Sequence, residues 1–274
     1  MQLRCIGTLR LTLKGLSMSK DYLILPDPHA HPNHHNDRAD WLGQFILDRK
    51  PDVVVNMGDT FDMPSLSSYD KGKASFSGAS YEKDINSGLD FLDRMWHPIK
   101  KAKKRKPHSV FLEGNHEHRL RKVLEYDPQL AGDKFGVSYK NYQLKDYHNE
   151  VVYYEGQTPG IYTADGISFA HYLVSGLMGR PIGGEHHAAS LLSKNYSSCV
   201  VAHSHTADFA IRSGSSGKKI MGLVAGVYQD YDSGWAGVVN NLWFPCVCYL
   251  RNVSEGTYDL EVIGIEALRR EYSR

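Results

Sequence analysis

Five short apolar runs each lead into residues that can bind a hard or borderline metal ion, and this pattern limits the fold more than any other feature. Residues 22–25 lead into Asp27-Pro28-His29, and residues 53–57 into Gly58-Asp59-Thr60-Phe61-Asp62. Residues 109–112 lead into Gly114-Asn115-His116-Glu117, residues 167–171 end at His171, and residues 199–203 run into His203-Ser204-His205. Short β-branched runs of this kind read as buried strands. Helical patterns over 37–49, 81–104 and 117–126 separate the early ones, so the first half is expected to form a mainly parallel sheet flanked by helices. Ligands of open α/β sheets bind beyond the carboxyl ends of the strands. In this chain those ends carry imidazoles, carboxylates and an amide.

The second half changes character. The segments EVVYYEG and GIYTADGISFAHY look like a hairpin turning at Asp165-Gly166. DFAIRSG pairs with KKIMGLV, and FPCVCYL with GTYDLEVI, which gives a mixed or antiparallel second sheet. The Ser/Gly-rich stretch 64–80 reads as a mobile surface loop. Residues 1–17 read as a disordered or mis-started extension ahead of a natural start at Met18, and 18–274 as a single domain.

The chemistry of the five ends is consistent. Imidazole and carboxylate suit manganese, iron or zinc, and no cysteine is offered for a thiolate zinc site. Asp27 and His29 are alternate residues of an extended chain, as are His203 and His205, so each pair can reach one ion. Asp59, held on the turn at Gly58, can bridge two ions with its two oxygens, and Asn115 offers an amide oxygen. Two divalent cations with two carboxylates and a hydroxide leave a net charge of about +1, which suits a phosphate anion.

Taken together, the series D-x-H, G-D-x-x-D, G-N-H-E, H and H-x-H resembles the calcineurin-like metallophosphoesterase superfamily over roughly residues 20–265, with a local flavour similar to small phage and bacterial members. The resemblance implies an α/β fold, a four-layer αββα sandwich of two mixed sheets flanked by helices. It implies one metal held by Asp27, His29, Asp59 and His205, and a second held by Asp59, Asn115, His171 and His203. His116 would be the catalytic histidine, Asp62 would orient it, and Arg119 would contact the phosphate. The implied activity is hydrolysis of a phosphodiester, or of a phosphomonoester, by a metal-bridging hydroxide, with two Mn2+, Fe2+ or Zn2+ ions as cofactors. The substrate would be a nucleotide, a small molecule or a nucleic acid.

The eukaryotic-type protein phosphatases of this superfamily continue G-D-x-x-D with R-G, whereas Met63-Pro64 stands here. That departure argues against a protein phosphatase. A compact nuclease using the basic run KKAKKRK (100–106) is the alternative, and a scaffold without catalysis is disfavoured because every ligand position is filled.

The remaining features read structurally. KKAKKRK suits a helix end stopped by Pro107. His31 reads as solvated loop, His34 and His35 as a polar run before a helix capped at Asn36/Asp37, and His118 and His148 as surface. His186 and His187 read as a polar helix start, while Tyr228, Tyr231, Trp235 and Trp243 read as core or lid packing rather than a platform for a base. A net charge of +1 gives no global field for a polyanion. The scattered Cys5, Cys199, Cys246 and Cys248 suggest reduced thiols in a cytoplasmic setting, with Cys246 and Cys248 in the core. No apolar stretch is long enough to span a bilayer, so no membrane partner is expected.

Overall fold

The computed structural model describes residues 19–134 and 136–273, so the expectation for residues 1–17 lies outside the described residues. Its strands are β1 (Lys20–Leu25), β2 (Val53–Asn56), β3 (His108–Leu112), β4 (Glu150–Val152), β5 (Tyr162–Ala164), β6 (Ile167–Phe169), β7 (Val174–Ser175), β8 (Arg180–Pro181), β9 (Ser198–Val201), β10 (Ala207–Ser213), β11 (Lys219–Ala225), β12 (Cys246–Ser254) and β13 (Thr257–Gly264). The α-helices are α1 (Asp37–Arg49), α2 (Tyr81–Lys101), α3 (Asn115–Tyr126), α4 (Leu144–Tyr147), α5 (His187–Asn195) and α6 (Ile265–Tyr272).

Two mixed sheets form the centre. The first runs β13-β12-β1-β2-β3-β4, with β1 to β4 parallel and β12 and β13 antiparallel at one edge. The second runs β10-β11-β9-β6-β5, with β11, β9 and β6 parallel between antiparallel edges. The two-residue period of a strand sorts the side chains between layers. In β1, Tyr22 and Ile24 join Val55, Val110, Phe169, Val200 and Leu223 in a core between the sheets. Leu23 and Leu25 face the other way and pack with Leu42, Phe45, Phe91, Met95 and Leu268 of the helices. The far side of the second sheet packs Cys199, Val201 and Val224 against Ala188 and Leu191 of α5. The four αββα layers follow, as the sequence predicts. Cys246 and Cys248 are buried in the inter-sheet core, also as expected.

Several local expectations need correction. The turn at Asp165-Gly166 joins β5 to β6, but β4 does not enter that hairpin. It lies parallel to β3 and completes the first sheet, because the chain after α3 returns by a long crossover instead of turning back on itself. Helix α2 ends at Lys101 and carries Pro98 within it, so Pro107 does not stop it. Asn36 precedes α1 without a side-chain cap. Its amide donates to the Ser87 carbonyl and to Asp90, tying α1 to α2. The stretch 64–80 contains two 3-10 turns, Pro64–Leu66 and Ala74–Phe76.

His118 and His148 are buried, not surface. His118 pairs with Glu113 at 3.3 Å and stacks on Tyr154. His148 packs against Trp96 and Phe111, and neither ring nitrogen has a hydrogen-bond partner. Burial, with Lys106 nearby, pushes its pKa down from 6.5 to about 3, so the folded protein keeps this ring neutral. The unfolded chain takes up a proton at this residue near pH 6.5 and the folded chain does not. Stability is therefore complete above that pH and drains as the pH falls towards 3. His148→Phe is expected to reduce the loss of unfolding free energy between pH 7 and pH 5 by about 2 kcal/mol, read by urea denaturation at the two pH values. An unchanged pH dependence would contradict this.

Candidate metal centre

The sequence motifs converge because β1, β2, β3, β6 and β9 present their carboxyl ends on one side of the molecule. Asp27 and His29 follow β1, Asp59 and Asp62 follow β2, and Asn115 and His116 open α3 just after β3. His171 follows β6, and His203 and His205 follow β9. Five of these side chains sit on left-handed backbone: Asp27 (φ 39°), His29 (45°), Asp59 (50°), His203 (67°) and His205 (61°). Each costs on the order of 1 kcal/mol, and such strain gathers at functional sites.

Hydrogen bonds hold these turns in place. The His29 amide donates to the Asp59 carbonyl at 2.8 Å, and the His203 amide to Asp27 Oδ2 at 2.7 Å. Glu117 accepts backbone N–H groups from Asp59 and Gly114, each at 3.0 Å, and from Phe61 at 2.9 Å. One buried carboxylate thereby clamps the loop after β2 to the start of α3. A side chain at Gly114 would stand 2.1 Å from Asp59 Oδ1, and one at Gly58 2.6 Å from the Gly114 nitrogen, so the two turns interlock only as glycines.

Asp27, His29 and His205 form one group with ligand atoms within 4.8 Å of one another, and Asp59, His171 and His203 form a second. His29 Nε2 lies 3.0 Å from His205 Nε2, and His203 Nδ1 lies 3.2 Å from His171 Nε2. Asn115 Oδ1 joins the second group 2.9 Å from His171 Nε2. His171 links the two, with Nδ1 3.6 Å from Asp27 Oδ1 and Nε2 3.3 Å from Asp59 Oδ2. Its Nδ1 also lies 2.9 Å from the Met57 carbonyl. All seven predicted ligands therefore meet.

Electrostatics follow from burial. It pushes Asp27 up to about 7, partly opposed by His171. It would raise Asp59 as well, but His171 and His116 outweigh it and hold that carboxyl well below the usual range. Burial pushes His203 down to about 3 and His205 well below its ordinary value.

The donor set fits divalent cations. Asp27 Oδ1 is buried without a hydrogen-bond partner, and two imidazole pairs face one another nitrogen to nitrogen, where at most one hydrogen can be shared. Four imidazoles, two carboxylates and an amide form a borderline nitrogen and oxygen set suited to manganese, iron or zinc.

A third group, His29, Asp62 and His116, shares His29 with the first. Asp62 Oδ1 is 2.9 Å from Nδ1 of both histidines. Burial would raise Asp62, but its bonds to His116 and His29 hold it well below the carboxylate range. Arg119 Nη2 lies 3.0 Å from His116 Nε2. A guanidinium only donates, so Nε2 accepts there and Nδ1 carries the hydrogen, 2.6 Å from the Asp62 carbonyl oxygen and 2.9 Å from its Oδ1. Arg119 Nη1 donates to the Asp62 and Met63 carbonyls.

The centre opens into a cavity of about 940 Å³ that also touches His31, Lys73, Arg119, Tyr231 and Trp235. His31 Nε2 is 4.0 Å from Asp62, so it faces the site. Tyr228 is core, as expected, whereas Trp235 is 75% exposed and is not packed as the sequence predicts. His187 opens α5 and is buried, and its Nδ1 lies 3.3 Å from Ser204 Oγ. Lys104, Arg105 and Lys106 line a different cleft with Lys50 and His108, at the amino ends of the strands.

Sequence reasoning missed Arg38. It is fully buried in α1 and donates to the carbonyls of Pro28, His29, His35 and Tyr228 and to Asp230. Five donors in a rigid fork fix the loop that carries His29. The signal was present, since Arg38 shares the buried face of α1 with Leu42, Phe45 and Ile46. Trp243, edge-on to His205 at 4.3 Å, was missed as a support for that ring.

Gly114→Ala is expected to push Asp59 aside and reduce bound metal from two ions per chain to one or none. Elemental analysis beside circular dichroism would check this, and two retained ions in a folded variant would contradict it.

The family model for calcineurin-like phosphoesterases matches residues 21–222, a span that takes in every residue from Asp27 to His205. No curated protein matches the chain. Among solved structures, TT1561 of Thermus thermophilus is 10% identical, covering 90% of this chain and 99% of that one with a TM-score of 0.37. A second solved structure is 11% identical, covering 90% of this chain and 100% of that one, also with a TM-score of 0.37. The chain belongs to the calcineurin-like phosphoesterase family.

Proposed function

We propose that the protein is a two-metal hydrolase that cleaves phosphodiester bonds. The observation that carries this reading is the His116–Asp62 pair standing against two groups of metal-binding side chains at the floor of one cavity. Asp27, His29, Asp59 and His205 would hold one ion, and Asp59, Asn115, His171 and His203 the other. When bound, the ions supply positive charge for the phosphoryl oxygens and lower the pKa of water, so that a nucleophile is available near neutral pH.

The protein's own groups supply the rest. Asp62, kept ionised, orients the His116 ring through Nδ1, so that the imidazolium form donates its Nε2 proton to the departing oxygen. Arg119 moves from His116 Nε2 to a phosphoryl oxygen when substrate arrives, which frees that nitrogen. A cavity of about 940 Å³ has room for groups on both sides of a phosphate, which favours a diester over a monoester. The lysine run lies away from this cavity, which weakens the reading as a nuclease that grips a strand through that run.

The proposal includes manganese, iron or zinc as the metal and a reducing, cytoplasmic setting. Three buried free cysteines support that setting, and among the described residues no helix is long and apolar enough to cross a membrane.

His116→Ala is expected to lower kcat on bis(p-nitrophenyl) phosphate by about 10²–10⁴-fold while bound metal stays near two ions per chain. Loss of metal in that variant, or an unchanged rate, would contradict the assigned role. Absence of manganese-stimulated release of nitrophenol by the chelated and reloaded wild-type protein would contradict hydrolysis itself.

A further inference from the structure

Two large aromatic side chains with most of their surface in solvent border the cavity above the metal centre. Tyr69 is 80% exposed and Trp235 75% exposed, and they come from separate loops, 64–73 and 231–235. Leaving apolar rings in water gives up burial energy that both could have gained in a core. The loop that carries Trp235 is anchored. The Tyr231 hydroxyl donates to the His29 carbonyl at 2.6 Å, and the Tyr231 ring stacks on His34 at 3.6 Å and 4°. Trp235 lies 5.6 Å from Trp243, which is edge-on to His205. The exposed indole is thus held at a fixed place relative to a metal-binding histidine. Lys73 and Ser233 add polar groups to the same cavity.

We propose that Trp235 and Tyr69 are base-stacking residues that set substrate specificity, so that the phosphodiester cleaved here carries a nucleobase. This rests on the phosphoesterase reading and narrows it to a nucleotide ester, free or at the end of a strand. Stacking suits this task because every base presents a π face.

The test compares two diesters with the same leaving group, thymidine 5′-(p-nitrophenyl) phosphate and methyl p-nitrophenyl phosphate, on the manganese-loaded protein. The expected kcat/KM favours the thymidine ester, and Trp235→Ala and Tyr69→Ala each reduce that preference about 10-fold. Using the ratio removes any general loss from poor folding. A second readout needs no turnover: thymidine 5′-monophosphate should quench tryptophan fluorescence saturably, and Trp235→Phe should remove most of the quench. Competition by a thymidylate oligomer more strongly than by the mononucleotide assigns the base to a strand end, and the reverse order to a free nucleotide.

Equal rates on both esters with no quench would overturn the base site while leaving the phosphoesterase reading intact. A preference for an octyl ester over the thymidine ester would overturn it in favour of a lipid-like ligand. If neither ester is hydrolysed, the phosphoesterase reading falls, and the quench alone decides whether a base binds.

Discussion

Asp59 Oδ1 lies where a side chain on residue 114 would have to be. That close approach of two loops, closed by the three backbone N–H groups that Glu117 accepts, sets the position of everything around it. Asp59 also receives the His116 amide at 2.8 Å, so one carboxylate fixes both a candidate metal-binding oxygen and the start of the helix that carries the proposed proton donor. The parallel pairing of β2 with β3 brings the two loops side by side. The glycines let them touch. Large side chains elsewhere on these strands serve the two cores, so the site is built from the last residues of elements whose middles are already secured.

Crowding so many polar groups at buried strand ends is unfavourable without compensation. The pattern of compensation separates the candidate ligands from their supports. The supports are fully paired: Arg38 spends its donors on carbonyls and Asp230, and Glu117 its oxygens on amides. The candidate ligand atoms are not, since Asp27 Oδ1 has no hydrogen-bond partner and imidazole nitrogens confront one another. Left-handed backbone at five of the seven predicted ligands adds to the cost. Divalent cations bound here would answer all three features together, by pairing the lone pairs, separating the rings and offsetting the strain.

Much of this was legible in the sequence because strand ends and ligand types are both local signals. A β-branched run followed by Asp-x-His or Gly-Asn-His-Glu gives the element and the chemistry in the same few residues, and the order of five such ends restricts where they meet. The four layers came from the family resemblance and not from a local pattern, since Tyr22-Leu23-Ile24-Leu25 is apolar throughout and only the fold sends Tyr22 and Ile24 to one face and Leu23 and Leu25 to the other. What depends on distant partners was not legible. Glu150–Val152 carries the same local pattern whether it turns into a hairpin or pairs with β3. His118 and His148 look like surface residues until Tyr154, Trp96 and Phe111 cover them. Arg38 is a basic residue on an apolar helix face, and its role appears only when four loop carbonyls are brought around it.

If two cations are held here, the Asp59 carboxylate would serve both. Electron paramagnetic resonance of the protein loaded with two manganese ions per chain tests it most directly. A pair sharing that carboxylate gives the closely spaced multiline signal of exchange-coupled ions, which Asp59→Asn should weaken or abolish. The signal of isolated ions at full loading would contradict the account.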